Sequence, residues 1–123
     1  MMRRAQGVLT PAQASGGEAE TAATRLLERH GLEIVARNFR TRLGEIDLVA
    51  RDGAVLVFVE VRLRSSARFG GAAASIGPRK RARIEAAARE FLARLRREPP
   101  CRFDVITFDD GAPRWLKGAF ESA

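Results

Sequence analysis

Gly44-Glu45-Ile46-Asp47-Leu48-Val49-Ala50-Arg51-Asp52-Gly53-Ala54-Val55-Leu56-Val57-Phe58-Val59-Glu60-Val61-Arg62 is the stretch that decides the fold. Two apolar, β-branched runs flank Asp52-Gly53, a strong signal for a two-residue hairpin loop. Each run carries one acid, Asp47 and Glu60, in surroundings where an unpaired carboxylate is costly. With Asp52-Gly53 as the loop, Arg51 is expected opposite Ala54, Val49 opposite Leu56, Asp47 opposite Phe58 and Glu45 opposite Glu60. Side chains alternate along a strand, so Glu45, Asp47, Glu60 and Arg62 are expected on one face. Ile46, Leu48, Val55, Val57, Val59 and Val61 are expected on the other, beneath a helix. Asp47 and Glu60 then become diagonal neighbours with Cα atoms about 7–8 Å apart, a gap that one divalent cation can bridge. Glu45 opposite Glu60 is repulsive, and a bound Mg²⁺ or Mn²⁺ would relieve it. Oxygen ligands with retained waters are what Mg²⁺ prefers. An acid, a turn and then Glu-X-basic is what a metal-dependent nuclease needs. The competing reading is structural: Glu45 and Asp47 pair with Arg42, Arg62 or Arg64 in ordinary salt bridges.

The pattern extends outward from this hairpin. Residues 33–40 read as a preceding strand, with 44–51 and 54–64 as the hairpin arms. Residues 16–30 read as a helix, because Ala19, Ala22, Ala23, Leu26 and Leu27 recur at helical spacing and Gly31 supplies a stop. Residues 65–77 form a Gly/Ala/Ser loop. Pro78 opens a second helix reaching about Arg97, and Pro99-Pro100 ends it. Residues 101–108 read as a strand, Asp109-Asp110-Gly111 as a turn and 114–117 as a short last strand. The order αβββαββ predicts an α/β fold, a mixed sheet with a helix on each face. Residues 1–15, rich in Ala, Gln, Pro and Gly, are expected to be a disordered tail ahead of a single domain at 16–123.

The second helix has an apolar stripe of Ile84, Ala87, Ala88, Phe91, Leu92 and Leu95. Traced back at about 100° per residue, that stripe ends in Lys80 and Arg81. Arg79, Lys80 and Arg81 sit at a helix N-terminus, where cations are unfavourable by roughly 0.3–1 kcal/mol each. A locally unfavourable choice often marks function, and backbone N–H groups beside cations make a phosphate site. The structural alternative is that these side chains extend to solvent. Arg94, Arg96 and Arg97 need no function, since cations suit a helix C-terminus.

The 123 residues carry 22 Lys+Arg against 15 Asp+Glu, a net charge of +7 with pI near 11.3, which favours an anionic partner. Arginine accounts for nearly all these cations, a bias that GC-rich coding also produces. Cys101 is the only cysteine, which excludes an intrachain disulfide and argues against a Cys-based zinc site. No signal-peptide pattern or membrane-length apolar run is present, and a cytoplasmic location is expected. His30, before Gly31, is expected to cap a helix end. Trp115, Phe120 and Phe69 are expected to be core, and Asp104 to pair with an arginine. No Gly-rich phosphate loop, nucleophilic triad or dinucleotide fingerprint occurs.

An ordered set of segments resembles the small bacterial YraN-like proteins. It comprises Ala19-Glu20, Arg37-Asn38-Phe39-Arg40, Gly44-Glu45-Ile46-Asp47-Leu48, Val57-Phe58-Val59-Glu60-Val61-Arg62, Phe69-Gly70, Lys80 with Arg83-Ile84, Arg102-Phe103-Asp104-Val105 and Ala119-Phe120. The resemblance covers about Gly16 to Phe120. It implies a restriction-endonuclease-like, PD-(D/E)xK core, distantly related to archaeal-type Holliday-junction resolvases. By that resemblance, Asp47 and Glu60 match the metal-binding acids and Glu20 the glutamate of the N-terminal helix. Helix geometry alone does not choose between Glu18 and Glu20. The nuclease pattern has Glu-X-Lys, whereas this chain has Glu60-Val61-Arg62. Arginine stays protonated and cannot be a general base. Either Arg62 substitutes electrostatically, or Lys80 reaches in from the helix, or the site is weakened.

The leading expectation is a Mg²⁺-dependent (or Mn²⁺-dependent) endonuclease-like protein acting on structured or branched DNA. Glu20, Asp47, Glu60, Arg62 and Lys80 are its candidate catalytic residues, with Asp47 and Glu60 holding the metal. Arg40, Arg42, Arg64, Arg79, Lys80 and Arg81 are the candidate nucleic-acid contacts. Expected partners are nucleic acid, DNA first, and a second copy of the chain in a homodimer, with no membrane. The alternatives are a non-catalytic nucleic-acid-binding module of the same fold and an interaction or assembly protein.

Overall fold

A computed structural model describes residues 16–63, 76–109 and 112–121. In chain order these form α1 (Gly16–Arg29), β1 (Glu33–Arg40), β2 (Glu45–Asp52), β3 (Val55–Arg62), α2 (Pro78–Ala93), β4 (Cys101–Asp109) and β5 (Ala112–Phe120). The expected tail at 1–15, Arg64, Phe69 and most of the 65–77 loop lie outside the described residues.

The five strands make one sheet in the order β1-β2-β3-β4-β5. Only β3 and β4 run parallel, with α2 as part of their crossover; the other neighbours are antiparallel. β3 is the central strand, and its almost unbroken apolar run suits burial on both faces. On one face, α1 packs Ala19, Ala22, Ala23, Leu26 and Leu27 against Leu48, Ala50, Val57, Val59, Ile106 and Phe108. On the other, α2 packs Ile84, Ala87 and Ala88 against Ile46, Val49, Leu56, Phe58, Phe103 and Val105. Phe39, Phe91, Phe58, Phe103 and Phe120 form a chain of ring contacts through this second layer, with successive centroids 4.9–6.0 Å apart. This mixed sheet with a helix on each face is compatible with a restriction-endonuclease-like core.

α1 ends as its sequence requires. Gly31 takes φ +85°, its N–H bonds Glu28 O at 3.0 Å and Leu32 N–H bonds Leu27 O at 3.1 Å. This is the paired bonding of a glycine-terminated helix. His30 Nδ1 lies 2.9 Å from Leu26 O, a further contact to a terminal carbonyl.

Four expectations from the sequence need correction. The hairpin loop is Gly53-Ala54, not Asp52-Gly53: Asp52 pairs with Val55, and the register continues through Val49 with Phe58 to Leu48 with Val59. Gly53 has φ +60° while Ala54 stays outside that region, which fits the hairpin type with glycine first in the loop. Asp52 is thereby kept in the strand, where it meets Arg102 at 3.2 Å. Glu45 consequently does not face Glu60; it pairs with Arg40 at 3.3 Å.

The second correction is that Ile46 and Leu48 do not share a face. Ile46 packs under α2 and Leu48 under α1. The cause lies on β1, where Asn38 adopts φ +52°, a conformation that Asn tolerates better than most residues. Asn38 lies between the pairs Arg37–Leu48 and Phe39–Ile46, hence opposite Asp47. The pleat breaks there, and Phe39 and Ile46 both turn towards α2.

Third, α2 stops at Ala93 rather than near Arg97. Arg94 N–H bonds Phe91 O and Leu95 N–H bonds Leu92 O at 3.1 and 3.0 Å, so the last turn tightens to i→i+3 bonding. The Arg94 guanidinium stacks 4.9 Å from the Phe39 ring centroid, and Leu95 leaves the stripe to become exposed.

Fourth, β5 runs for nine residues rather than four. Gly118, at φ +60°, absorbs an irregularity in register between Phe103 and Val105, and the strand continues to Phe120.

Candidate active site

Asp47 sits where β2 leaves the β3 ladder. Leu48 with Val59 is the final pair, and beyond it the Asp47 side chain replaces the backbone as acceptor: Val61 N–H donates to Oδ2 at 2.8 Å. The broken pleat at Asn38 and Asp47 therefore turns this carboxylate towards β3 instead of simply onto one face. Glu60 follows on β3, directly across from Asp47 if the register is continued. It is 5 % exposed, and it stands on the α2 side, as its partner shows: Lys80 Nζ lies 2.9 Å from Glu60 Oε2. Arg62 NH1 is farther, 3.9 Å from the same oxygen.

Burial pushes the Glu60 carboxyl up to about 7, and the charge of Asp47 adds to this; Lys80 opposes both without cancelling them. Two carboxylates in contact, one of them buried, favour a proton or a cation between them. Glu20, on α1, is half-buried and also raised, first by burial and then by Asp47, while the Asn38 side chain and Arg37 act in the opposite sense. Glu18 is exposed. Asp47 thus acts on Glu20 of this helix.

The donor chemistry fits a hard divalent ion such as Mg²⁺: Asp47 and Glu60 present oxygens, and their mutual repulsion would fall on binding it. Among the described residues no group of three or more His, Cys, Asp or Glu side chains is gathered closely enough to hold a metal. A sparse protein shell of two carboxylates would be completed by water and phosphate, the way Mg²⁺ is usually held.

α2 is positioned by a backbone contact. Gly44 lies against the Arg83 carbonyl so closely that a Cβ there would overlap it. The connector before β2 is closed by Thr41, whose Oγ1 accepts Leu43 N–H and Gly44 N–H at 3.1 and 3.0 Å. Thr41 N–H also bonds Gly44 O at 2.8 Å. With the β1–β2 connector clamped on α2, the first turn of the helix delivers Lys80 to Glu60.

The remaining candidates are dispersed. Arg40 is exposed and paired with Glu45, and Arg42 and Arg79 are exposed on the connector and at the start of α2. Arg81 is turned inward: Nε donates to Ile76 O at 3.0 Å and the guanidinium lies 5.2 Å from the Phe120 centroid. Arg64 lies outside the described residues. Asp104 is fully buried and held by Arg102, Trp115 Nε1–H and Gly118 N–H at 2.9–3.0 Å. It pairs with an arginine as expected and has no free role.

Residues 19–108 match the model of a single family, described as the uncharacterised protein family UPF0102. The chain belongs to that family. Among its relatives, a UPF0102 protein of Cupriavidus taiwanensis is 53 % identical over 125 residues, covering 99 % of this chain and 95 % of its own. One from a Janthinobacterium strain is 52 % identical over 113 residues, covering 92 % of each chain. One from Bordetella avium is 54 % identical over 112 residues, covering 90 % of this chain and 77 % of its own. The family match spans α1 to β4 and so includes Glu20, Asp47, Glu60, Arg62 and Lys80.

Two residues that shape the site are not among the candidates from the sequence. Asn38 reads there only as a turn-prone residue inside a strand. Gly44 carries a weak signal, since a glycine beside a strand start can mark close backbone approach. Among the described residues, no helix is long and apolar enough to cross a membrane.

Proposed function

We propose that this chain is a Mg²⁺-dependent endonuclease-like protein that acts on structured or branched DNA. The observation that carries this reading is the triad Asp47–Glu60–Lys80, two interacting carboxylates with an ammonium 2.9 Å from the buried one. The +7 charge and the exposed Arg42 and Arg79 support an anionic substrate.

Asp47 and Glu60 would hold the ion, with Glu20 close enough to Asp47 to add negative charge. Bound there, Mg²⁺ would polarise a phosphate and lower the pKa of a coordinated water. Lys80 places a positive charge beside Glu60 and offers further N–H donors to a phosphate oxygen. Arg62 cannot take a proton at neutral pH, so its part is electrostatic stabilisation of the phosphate. The start of α2 adds backbone N–H groups on the same side. A cytoplasmic location goes with this reading, and a two-fold branched substrate would call for a homodimer.

The test is cleavage of branched, flapped, linear and single-stranded DNA with Mg²⁺, Mn²⁺ or EDTA. Divalent-dependent cleavage that disappears in Glu60→Gln is the expected result. Cleavage without a divalent ion, or cleavage that survives both Asp47→Asn and Glu60→Gln, would refute it. A second reading, a binding module without turnover, is favoured by one observation: arginine stands at the position of the nuclease lysine. It expects salt-dependent DNA affinity without cleavage. An interaction or assembly protein expects neither.

A further inference from the structure

Two buried polar atoms beside this site have no hydrogen-bond partner among the described residues: Arg62 Nε and Thr107 Oγ1. They are neighbours. Arg62 on β3 is the register partner of Thr107 on the parallel β4. They also share a face. Phe103 and Val105 pack on the α2 side, and alternation carries Thr107 to that side; Glu60, reached by Lys80 from α2, and Arg62 stand there too. Thr107 is fully buried. An unsatisfied buried group is uncommon enough to require an explanation, and two at adjacent positions call for a shared one.

Both atoms can donate. Arg62 Nε–H only donates, and a threonine hydroxyl can rotate to donate. Two unpartnered donors at paired positions on one face can share one acceptor. We propose that Arg62 Nε–H and Thr107 Oγ1–H bind the same oxygen, and that Thr107 is a positioning residue that fixes the Arg62 guanidinium beside Glu60. The acceptor has the chemistry of a water or of a phosphate oxygen. A water needs two or more polar partners to be held inside a protein, and these two donors supply them. With Nε bound to that oxygen and NH1 3.9 Å from Glu60 Oε2, the rest of the guanidinium is left to face a substrate phosphate. That last consequence rests on the function proposed above; the orientation of Arg62 in the free protein does not.

The test begins with the free protein. The Arg62 Nε–H resonance, assigned by its loss in Arg62→Lys, is expected to exchange slowly with solvent in the wild type. In Thr107→Val exchange should accelerate at least tenfold, and in Thr107→Ser, which keeps the hydroxyl, it should return towards the wild type. Titration with inorganic phosphate separates the two acceptors. A shift of this resonance that Thr107→Val abolishes identifies a phosphate oxygen, and a cross-peak to bound water without such a shift identifies water. In DNA binding, Thr107→Val should raise Kd about three- to tenfold and Thr107→Ser should rescue it. Absence of DNA binding by the wild type would count against the proposed function while leaving the exchange result to decide this inference. An Nε–H signal unchanged in Thr107→Val, with only a higher Tm, would overturn the inference, because Thr107 would then be an unsatisfied hydroxyl and nothing more.

Discussion

Lys80 Nζ is 2.9 Å from Glu60 Oε2, whereas Arg62 NH1 is 3.9 Å from the same oxygen. The cation nearest the buried acid therefore comes from the helix and not from the neighbouring strand position. Lys80 is also half-exposed, so the same ammonium can meet a ligand arriving from solvent. An amine thus stands at Glu60, and an arginine at the strand position where the nuclease pattern has lysine.

Lys80→Ala is expected to reduce any cleavage by about 10²-fold or more, the scale for removing one preorganised charge at a reacting group. Arg62→Lys should retain activity or increase it. A readout free of turnover accompanies this: without Lys80, the carboxyl of Glu60 should titrate still higher, seen in side-chain carbon shifts across a pH series. A Glu60 titration unmoved by Lys80→Ala would mean that the ion pair carries no weight in solution.

The pH dependence of stability has a definite sign. Glu60 titrates near 7 in the folded chain against an ordinary value of 4.5. Between those values the folded state holds more protons than the unfolded one, so stability falls as pH rises. The contribution is fully present below about 4.5, is lost as pH rises through about 7, and is flat above that. Glu20, also raised, acts in the same direction. Glu60→Gln should flatten the decline in Tm between pH 5 and 7.5 relative to the wild type, measured by thermal melts in matched buffers. Equal slopes in the two proteins would place the Glu60 carboxyl in the ordinary range.

Much of this was legible in the sequence, and the reasons are local. The glycine–proline punctuation and the helical stripes located both helices and four of the strands within a few residues. β3 was unmistakable because its β-branched run is bounded by a turn on one side. The closeness of Asp47 and Glu60 was legible although the register was not, since either loop position for Gly53 folds the two arms together and brings these acids within reach of each other. What failed depended on contacts remote in sequence. Gly53 can occupy either loop position, and the choice that keeps Asp52 in the strand brings it to Arg102, fifty residues away. The break at Asn38 follows from one backbone conformation that composition does not reveal. The last strand, expected over 114–117, continues through Gly118, whose N–H has Asp104 to bond.

Gly44→Ala should be disruptive despite its small size. A Cβ at Gly44 meets the Arg83 carbonyl, so either the connector or α2 must move. Overpacking of this kind costs about 1–3 kcal/mol, which lowers Tm by several degrees in a domain of this size. Because α2 carries Lys80, the displacement should also weaken the Lys80–Glu60 contact and raise the Glu60 titration further. Gly44→Ala with an unchanged Tm would show that the helix is free to retreat. A control at Gly17, where a Cβ meets nothing within 4 Å, should be close to neutral.

Asp47 has two separable tasks, and two substitutions divide them. Its Oδ2 accepts Val61 N–H at 2.8 Å, and its charge raises Glu60. Asparagine keeps an oxygen at that position but removes the charge. Asp47→Asn should therefore fold normally, lower the Glu60 titration towards the ordinary range, and be more stable than the wild type at pH 8. Alanine removes the acceptor as well and leaves the part-buried Val61 N–H without it, at a cost of up to about 1 kcal/mol, so Asp47→Ala should melt below Asp47→Asn. The metal enters through linkage. A ligand that binds only the folded state stabilises it in proportion to the logarithm of its concentration over Kd. Millimolar Mg²⁺ or Mn²⁺ should raise the Tm of the wild type at pH 8 and leave that of Asp47→Asn and Glu60→Gln unchanged. An equal rise in all three proteins would place the ion elsewhere on the surface and remove the ground for assigning it to this pair.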